Sequence, residues 1–237
     1  MTQTLSPAQQ KMLAAYEFHT GAEFVTHRTA DAMASMVPDP YVALLPALTG
    51  GNDAAEVEEF YEDHFIFNMP PDMELVPVTR IVGAEHIVEE SVFRFTHTVE
   101  LDWMLPGLAP TGRRVEIAVV SIVKMEGNRL AHEHIYWDQA SVLAQLGLLD
   151  AEQLPVVGAD GARKILDRKV PVNQLMKRLT ASAAERRAQQ AQVSRSEPEA
   201  SEGHRVGERS RTVDSASATP PVGESPGALV DTKGAKR

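Results

Sequence analysis

The sequence predicts an α+β domain in which helices come first and cover one face of an antiparallel sheet, with a disordered tail behind. Three observations carry this. Apolar residues recur at helical spacing through His64 and at a spacing of two from Met73 onward. All seven Phe, four Tyr and two Trp lie at or before Trp137, so the residues that bury most area are absent from the last 100 positions. From Ser182 the chain reads SAAERRAQQAQVSRSEPEASEGHRVGERS, with too few apolar groups to offset the entropy of ordering. The expected division is a folded domain over 1–150, a helical docking extension over 151–181 and a disordered tail over 182–237.

Each element has a local reason. Ser6-Pro7 is an N-cap followed by Pro at the first helical position, opening a helix whose apolar face holds Met12, Leu13, Tyr16, Phe24 and Val25. A second helical piece near 31–36 should stop at Pro38, and YVALLP (41–46) reads as a short strand closed by Gly50-Gly51. Asn52 or Asp53 caps AAEVEEFYEDHF, with Val57, Phe60, Tyr61 and His64 on one side. MELVPVTRIV (73–82) and IVEESVFRFTHTVELDW (87–103) form one hairpin. RRVEIAVVSIVKM (113–125) and RLAHEHIYWD (129–138) form another across the two-residue turn Gly127-Asn128, and QASVLAQLG follows as a short helix.

Charge and composition exclude several functions. Residues 1–150 hold 8 Lys and Arg against 22 Asp and Glu, a balance of −14. So acidic a body repels phosphate backbones and anionic lipid, so neither nucleic acid nor a membrane is an expected partner. With no cysteine, disulfides, thiolate nucleophiles and Cys-held zinc are excluded. The N-terminus lacks the pattern of a signal peptide and no apolar run spans a bilayer, so a cytoplasmic protein is expected. Gly223-Glu224-Ser225-Pro226-Gly227 matches a nucleophile elbow literally, but without the strand and helix that would make it one.

The ladder arithmetic places a pocket. If the Gly127-Asn128 turn pairs Glu126 with Arg129, partners sum to 255, setting Val119 opposite Tyr136 and Ser121 opposite His134. A simple register on the preceding strand adds Phe93, Phe95, His97 and Trp103 to that face, and the far end of the last strand adds Asp138. An apolar wall with imidazoles and a carboxylate embedded in it is the usual make-up of a small-molecule site. A slip of one residue would move side chains to the other face.

Two blocks, THTVELDWMLPGLAPTGRR (96–114) and NRLAHEHIYWDQASVLAQLG (128–147), resemble the SnoaL-like polyketide cyclases of the nuclear transport factor 2-like superfamily. The shared features are Pro110-Thr111-Gly112, the Gly turn, the strand running into Asp138, and Gln145-Leu146-Gly147. The resemblance implies a cone-shaped, strongly curved sheet wrapped on helices, a homodimer joined through the outer sheet face, and Asp138 as the acid/base. Asp102-Trp103 departs from the family pattern.

The expected function is cyclase- or isomerase-type acid–base chemistry on a hydrophobic carbonyl compound. The catalytic candidates are Asp138, His97, His134 and Tyr136. Asp138 would remove a proton next to the carbonyl, and the others would hydrogen-bond the enolate oxygen. Phe93, Phe95, Trp103, Val119, Ser121 and His27 are the substrate-binding candidates. No metal or organic cofactor is expected, although His132 and His134 with a third ligand would suit one. Each assignment has a structural counterpart: Asp138 as the N-cap of QASVLAQLG, His97 as a core histidine, Tyr136 and Trp103 as packing. The rival functions are a non-catalytic ligand-binding or dimerisation module and a lactone or ester hydrolase.

Overall fold

In a computed structural model the described residues run from 4 to 196. The chain divides into two units, Met1–Ala188 and Gln189–Arg237, and the first holds the whole sheet. Its helices are α1 (Pro7–Gly21), α2 (Thr29–Ala34), α3 (Ala54–Glu59), α4 (Gln139–Gln145), α5 (Asp160–Leu166) and α6 (Gln174–Ser196), the last continuing into the second unit. The strands are β1 (Met36–Leu44), β2 (Thr49–Gly51), β3 (Glu74–Val82), β4 (His86–Thr96), β5 (Arg114–Glu126) and β6 (Arg129–Trp137), and they form one sheet in the order β2-β1-β6-β5-β4-β3. The α+β class follows directly from the change of hydrophobic period.

Local chemistry sets the boundaries. Ser6 Oγ accepts from Gln9 N–H while Gln9 Oε1 accepts from Ser6 N–H, a reciprocal cap at the start of α1. Asp53 caps α3 through the N–H groups of Ala55 and Glu56. Both α1 and α3 run on into π-helical turns, Ala22–Thr26 and Phe60–Phe65. Wider turns of this kind re-aim side chains and are frequent at functional sites. At the end of α4, Gln145 replaces a missing strand partner: its side-chain amide accepts from the Glu116 N–H and donates to the Glu116 carbonyl.

Four expectations are corrected. The sheet is mixed rather than antiparallel throughout, because β1 runs parallel to β6. β1 begins at Met36, and its ladder skips from Met36 to Tyr41 because Pro38 and Pro40 have no N–H to donate. β4 ends at Thr96 instead of reaching residue 103, its last N–H and its hydroxyl both taken by the Asp72 carboxylate. Residues 182–196 are helical, since Ala, Glu, Arg and Gln favour the helix even where they offer no apolar face. The remainder of the expected tail, with the elbow-like 223–227, lies outside the described residues.

The core lies between the helices and the inner sheet face. Inward positions alternate as Ile87, Glu89, Ser91, Phe93 and Phe95 on β4 and as Val115, Ile117, Val119, Ser121 and Val123 on β5. Trp103, from the loop after β4, packs edge-on against Phe65 (5.2 Å) and Trp137 (6.1 Å). Each such pair contributes about 1 kcal/mol beyond the area it buries. On the outer face, the buried Ala162 of α5 and the pairing of Arg163 with Glu116 (3.4 Å) fasten the extension to the domain.

Candidate functional site

A bulge decides which β6 side chains enter the interior. Glu126 pairs with Arg129 and Met125 with Leu130, as a two-residue turn requires. The register then shifts, so that Lys124 faces His132, Val120 faces Tyr136 and Val119 faces Trp137. The extra residue is Ala131. Beyond it, Glu133, Ile135 and Trp137 point inward, while His132, His134 and Tyr136 point outward. The physical reason is burial: the shifted register encloses an isoleucine, a tryptophan and one carboxyl, Glu133, which faces His19, and the unshifted one two imidazoles and a phenol.

The expected convergence of Asp138, His97, His134 and Tyr136 on one hollow is therefore corrected. On the outer face, His134 Nε2 is 2.8 Å from the Tyr41 hydroxyl, and Tyr136 is 42 % exposed. His132 stacks on Tyr41 (4.8 Å), and its pKa is lowered by burial and by the nearby His134 and His86. Asp138 caps α4, accepting from the Ser141 N–H (3.1 Å) and the Ser141 hydroxyl (2.6 Å). His97 is fully buried behind the end of β4; its Nδ1 accepts from the Thr111 N–H (3.3 Å), and burial lowers its pKa. None of these four lines the interior cavity.

Among the expected substrate-binding residues, Phe93, Trp103, Val119 and Ser121 line that cavity. Phe95 is buried in the core outside it. His27 ends the first π-helical turn in the left-handed region (φ 50°) with its Nδ1 3.2 Å from the Ile66 carbonyl oxygen, and it lines a separate outer hollow. The inner cavity has about 50 Å³ open to the centre of a water molecule, enough for a few waters or one compact organic group.

Its polar floor is a cluster that the sequence reading missed. Met12, Tyr16, His19 and Glu23 follow one another at steps of four, three and four, so α1 and its π-helical turn carry an imidazole and a carboxylate on the buried face. His19 Nδ1 lies 2.7 Å from Ser35 Oγ and 3.2 Å from the Ala32 carbonyl oxygen. Its Nε2 faces Glu23 Oε1 (3.3 Å), Glu133 Oε1 (3.8 Å) and the Tyr61 hydroxyl (3.2 Å). Glu89, also lining the cavity, is held by Arg80 from β3, whose guanidinium lies over the Tyr16 ring.

Two acids so close together cannot both ionise without a counter-charge. Burial alone would lower the His19 pKa, but the charge and hydrogen bond of Glu23 and the charge of Glu133 outweigh it and raise it to about 9. Burial and the Glu23 charge raise Glu133 to about 7, against the opposing pull of His19. Tyr16 and Tyr61 stay protonated, raised by burial and by neighbouring carboxylates. At neutral pH the cluster thus holds an imidazolium, a carboxyl poised between its two forms and two phenolic donors, and of these groups Tyr16 and Glu133 line the cavity while His19 and Tyr61 lie behind it. His19, Glu23 and Glu133 form the one set of groups among the described residues close enough to share a cation, which would have to displace the protons already balancing the charge.

No helix among the described residues is long and apolar enough to cross a membrane. No protein-family model and no curated protein matches the chain. Solved structures do match. One, from Jannaschia sp. CCS1 and provisionally described as a SnoaL-like polyketide cyclase, is 15 % identical with a TM-score of 0.49, over 61 % of this chain and 97 % of that one. An NTF2-like protein from Burkholderia pseudomallei K96243 is 18 % identical with a TM-score of 0.44, over 57 % and 97 %. A phenazine biosynthesis-related protein from Pseudomonas aeruginosa is 11 % identical with a TM-score of 0.48, over 62 % and 90 %. These are structures that the chain resembles over about three fifths of its length.

Proposed function

We propose that the chain is a small-molecule enzyme of the cyclase or isomerase type, working by acid–base chemistry on a hydrophobic carbonyl compound in the inner cavity. Glu133, rather than Asp138, is the acid/base. The observation that carries this reading is the placement of Glu133 beside His19 and Glu23 at the floor of an apolar cavity walled by Phe93, Trp103 and Val119. A carboxyl with a pKa near the working pH is suited to take a proton from carbon and return it. As the α-proton leaves, negative charge develops on the carbonyl oxygen. Tyr16 and Trp103 line the same cavity; the buried Trp103 indole N–H has no partner among the described residues, and the Tyr16 hydroxyl beside Ser121 stays protonated, so each can donate to that oxygen. The His19 charge alone opposes burial and the Glu23 charge, and so keeps Glu133 from rising higher still.

The test is α-proton exchange of 2-butanone in deuterated buffer, followed by nuclear magnetic resonance. The wild-type chain is expected to accelerate exchange, with a rate that climbs as pH passes about 7 because the base must be ionised. Glu133→Gln is expected to reduce it at least a hundredfold. Undiminished exchange in that variant, or none in the wild type, overturns the reading.

A further inference from the structure

The inner cavity has room for a compact head group and little more, but it has a neighbour. A hollow of about 570 Å³ lies on the other side of Phe24 and Leu75, the two residues that line both spaces. By the same measure it is more than ten times the inner volume. Its wall is Val25, Phe67, Met69 and Met73, with His27 at its rim, and Val25 (76 %) and Phe67 (56 %) expose apolar surface to it. Scattered single apolar residues on a surface need no explanation, but a concave group of them does. Unbranched methionines suit it to chains of variable shape. Phe24 stands at the junction, edge-on to both Phe65 (5.8 Å) and Phe93 (5.7 Å), beside the buried Glu23 on the same π-helical turn.

We propose that the outer hollow is a tail subsite: it takes the alkyl or aryl tail of the ketone whose carbonyl head occupies the inner cavity, with Phe24 and Leu75 bracketing the joint between them. The substrate class is then a ketone with a compact head and an apolar tail of about five carbons or more. For the position of the head, this rests on the acid–base reading above. No Asp, Glu, Lys or Arg lines the outer hollow, so the contribution of a tail seated there is hydrophobic and grows with its length.

Both tryptophans line the inner cavity, so intrinsic emission reports occupation of the head site. Titrating the full chain with the 2-alkanones from butanone to nonanone should strengthen binding about twofold to fourfold per methylene, the upper figure applying to full burial of each group. Phe67→Asp and Val25→Asp, both at exposed positions that tolerate polarity, should abolish that dependence on length while keeping the wild-type circular dichroism. A flat series in the wild type, or a slope that survives both substitutions, overturns the tail subsite. Loss of butanone exchange with the slope intact overturns only the acid–base reading and leaves the subsite standing.

Discussion

Asp138 and Glu133 are five residues apart, yet they do different physical work. The carboxylate of Asp138 is spent on the first turn of α4, where both of its oxygens receive hydrogen bonds from Ser141. Asp138→Ala is therefore expected to cost about 1 kcal/mol in urea unfolding, the usual loss for an N-cap, while butanone exchange persists. A collapse of exchange with stability unchanged would return Asp138 to the chemistry. His19 is the opposite case. Removing it leaves two buried carboxylates without their cation, so His19→Gln is expected to lose about 3 kcal/mol or more, read from the same unfolding curves at pH 7. The pattern was open to reading in the sequence: His19 and Glu23 continue the spacing of Met12 and Tyr16 on one helix face. What the spacing alone does not reveal is a partner for them, since Glu133 and Tyr61 arrive from distant elements.

At the scale of elements, the inward aim of Glu133 depends on a single inserted residue. The turn Gly127-Asn128 starts the ladder, and Gly127 holds a φ of +63° with open space around the position of a Cβ. Gly127→Ala therefore meets no clash and is expected to cost about 1–2 kcal/mol from left-handed backbone strain alone, measurable by thermal or urea unfolding. A neutral substitution would mean that the turn relaxes to another type. The turn and the β5 alternation were legible because they are local: two turn residues and a period of two. The bulge at Ala131 was not, because the residues that enforce it are Ile135 and Trp137, four and six positions on, competing for the interior against His134 and Tyr136. Their greater gain on burial tips the register. The π-helical turns escaped notice for a similar reason: Ala22–Thr26 and Phe60–Phe65 carry ordinary helical spacing and widen only where the core asks for it.

For the whole molecule, the buried cluster sets an unusual pH dependence. His19 has a folded pKa raised from 6.5 to about 9, so its stabilisation is complete below about 6.5 and is lost as pH rises through 9. Glu133 has a folded pKa raised from 4.5 to about 7, so its contribution is complete below about 4.5 and is lost as pH rises through 7. Both signs agree, and stability is expected to fall from pH 5 to pH 9 by an amount on the order of 3 kcal/mol for each of the two groups. Urea unfolding at pH 5, 7 and 9 checks this, and His19→Gln should flatten the upper half of the decline. Stability that is level or rises across the range would mean that the cluster is solvated rather than sealed.

The sequence by itself determined the α+β class, the main helices and strands from α1 to α4, the two-residue turn and the inward alternation of Phe93, Val119 and Ser121. These follow from periodicity, capping and turn chemistry, all of which act over a few residues. Only the tertiary structure decided that β1 lies parallel to β6, that the β6 register slips at Ala131, and that an imidazole on α1 meets carboxylates from its own π-helical turn and from β6. Such choices are settled by which side chains gain most from burial once distant segments compete for one interior, and no local pattern records the outcome of that competition.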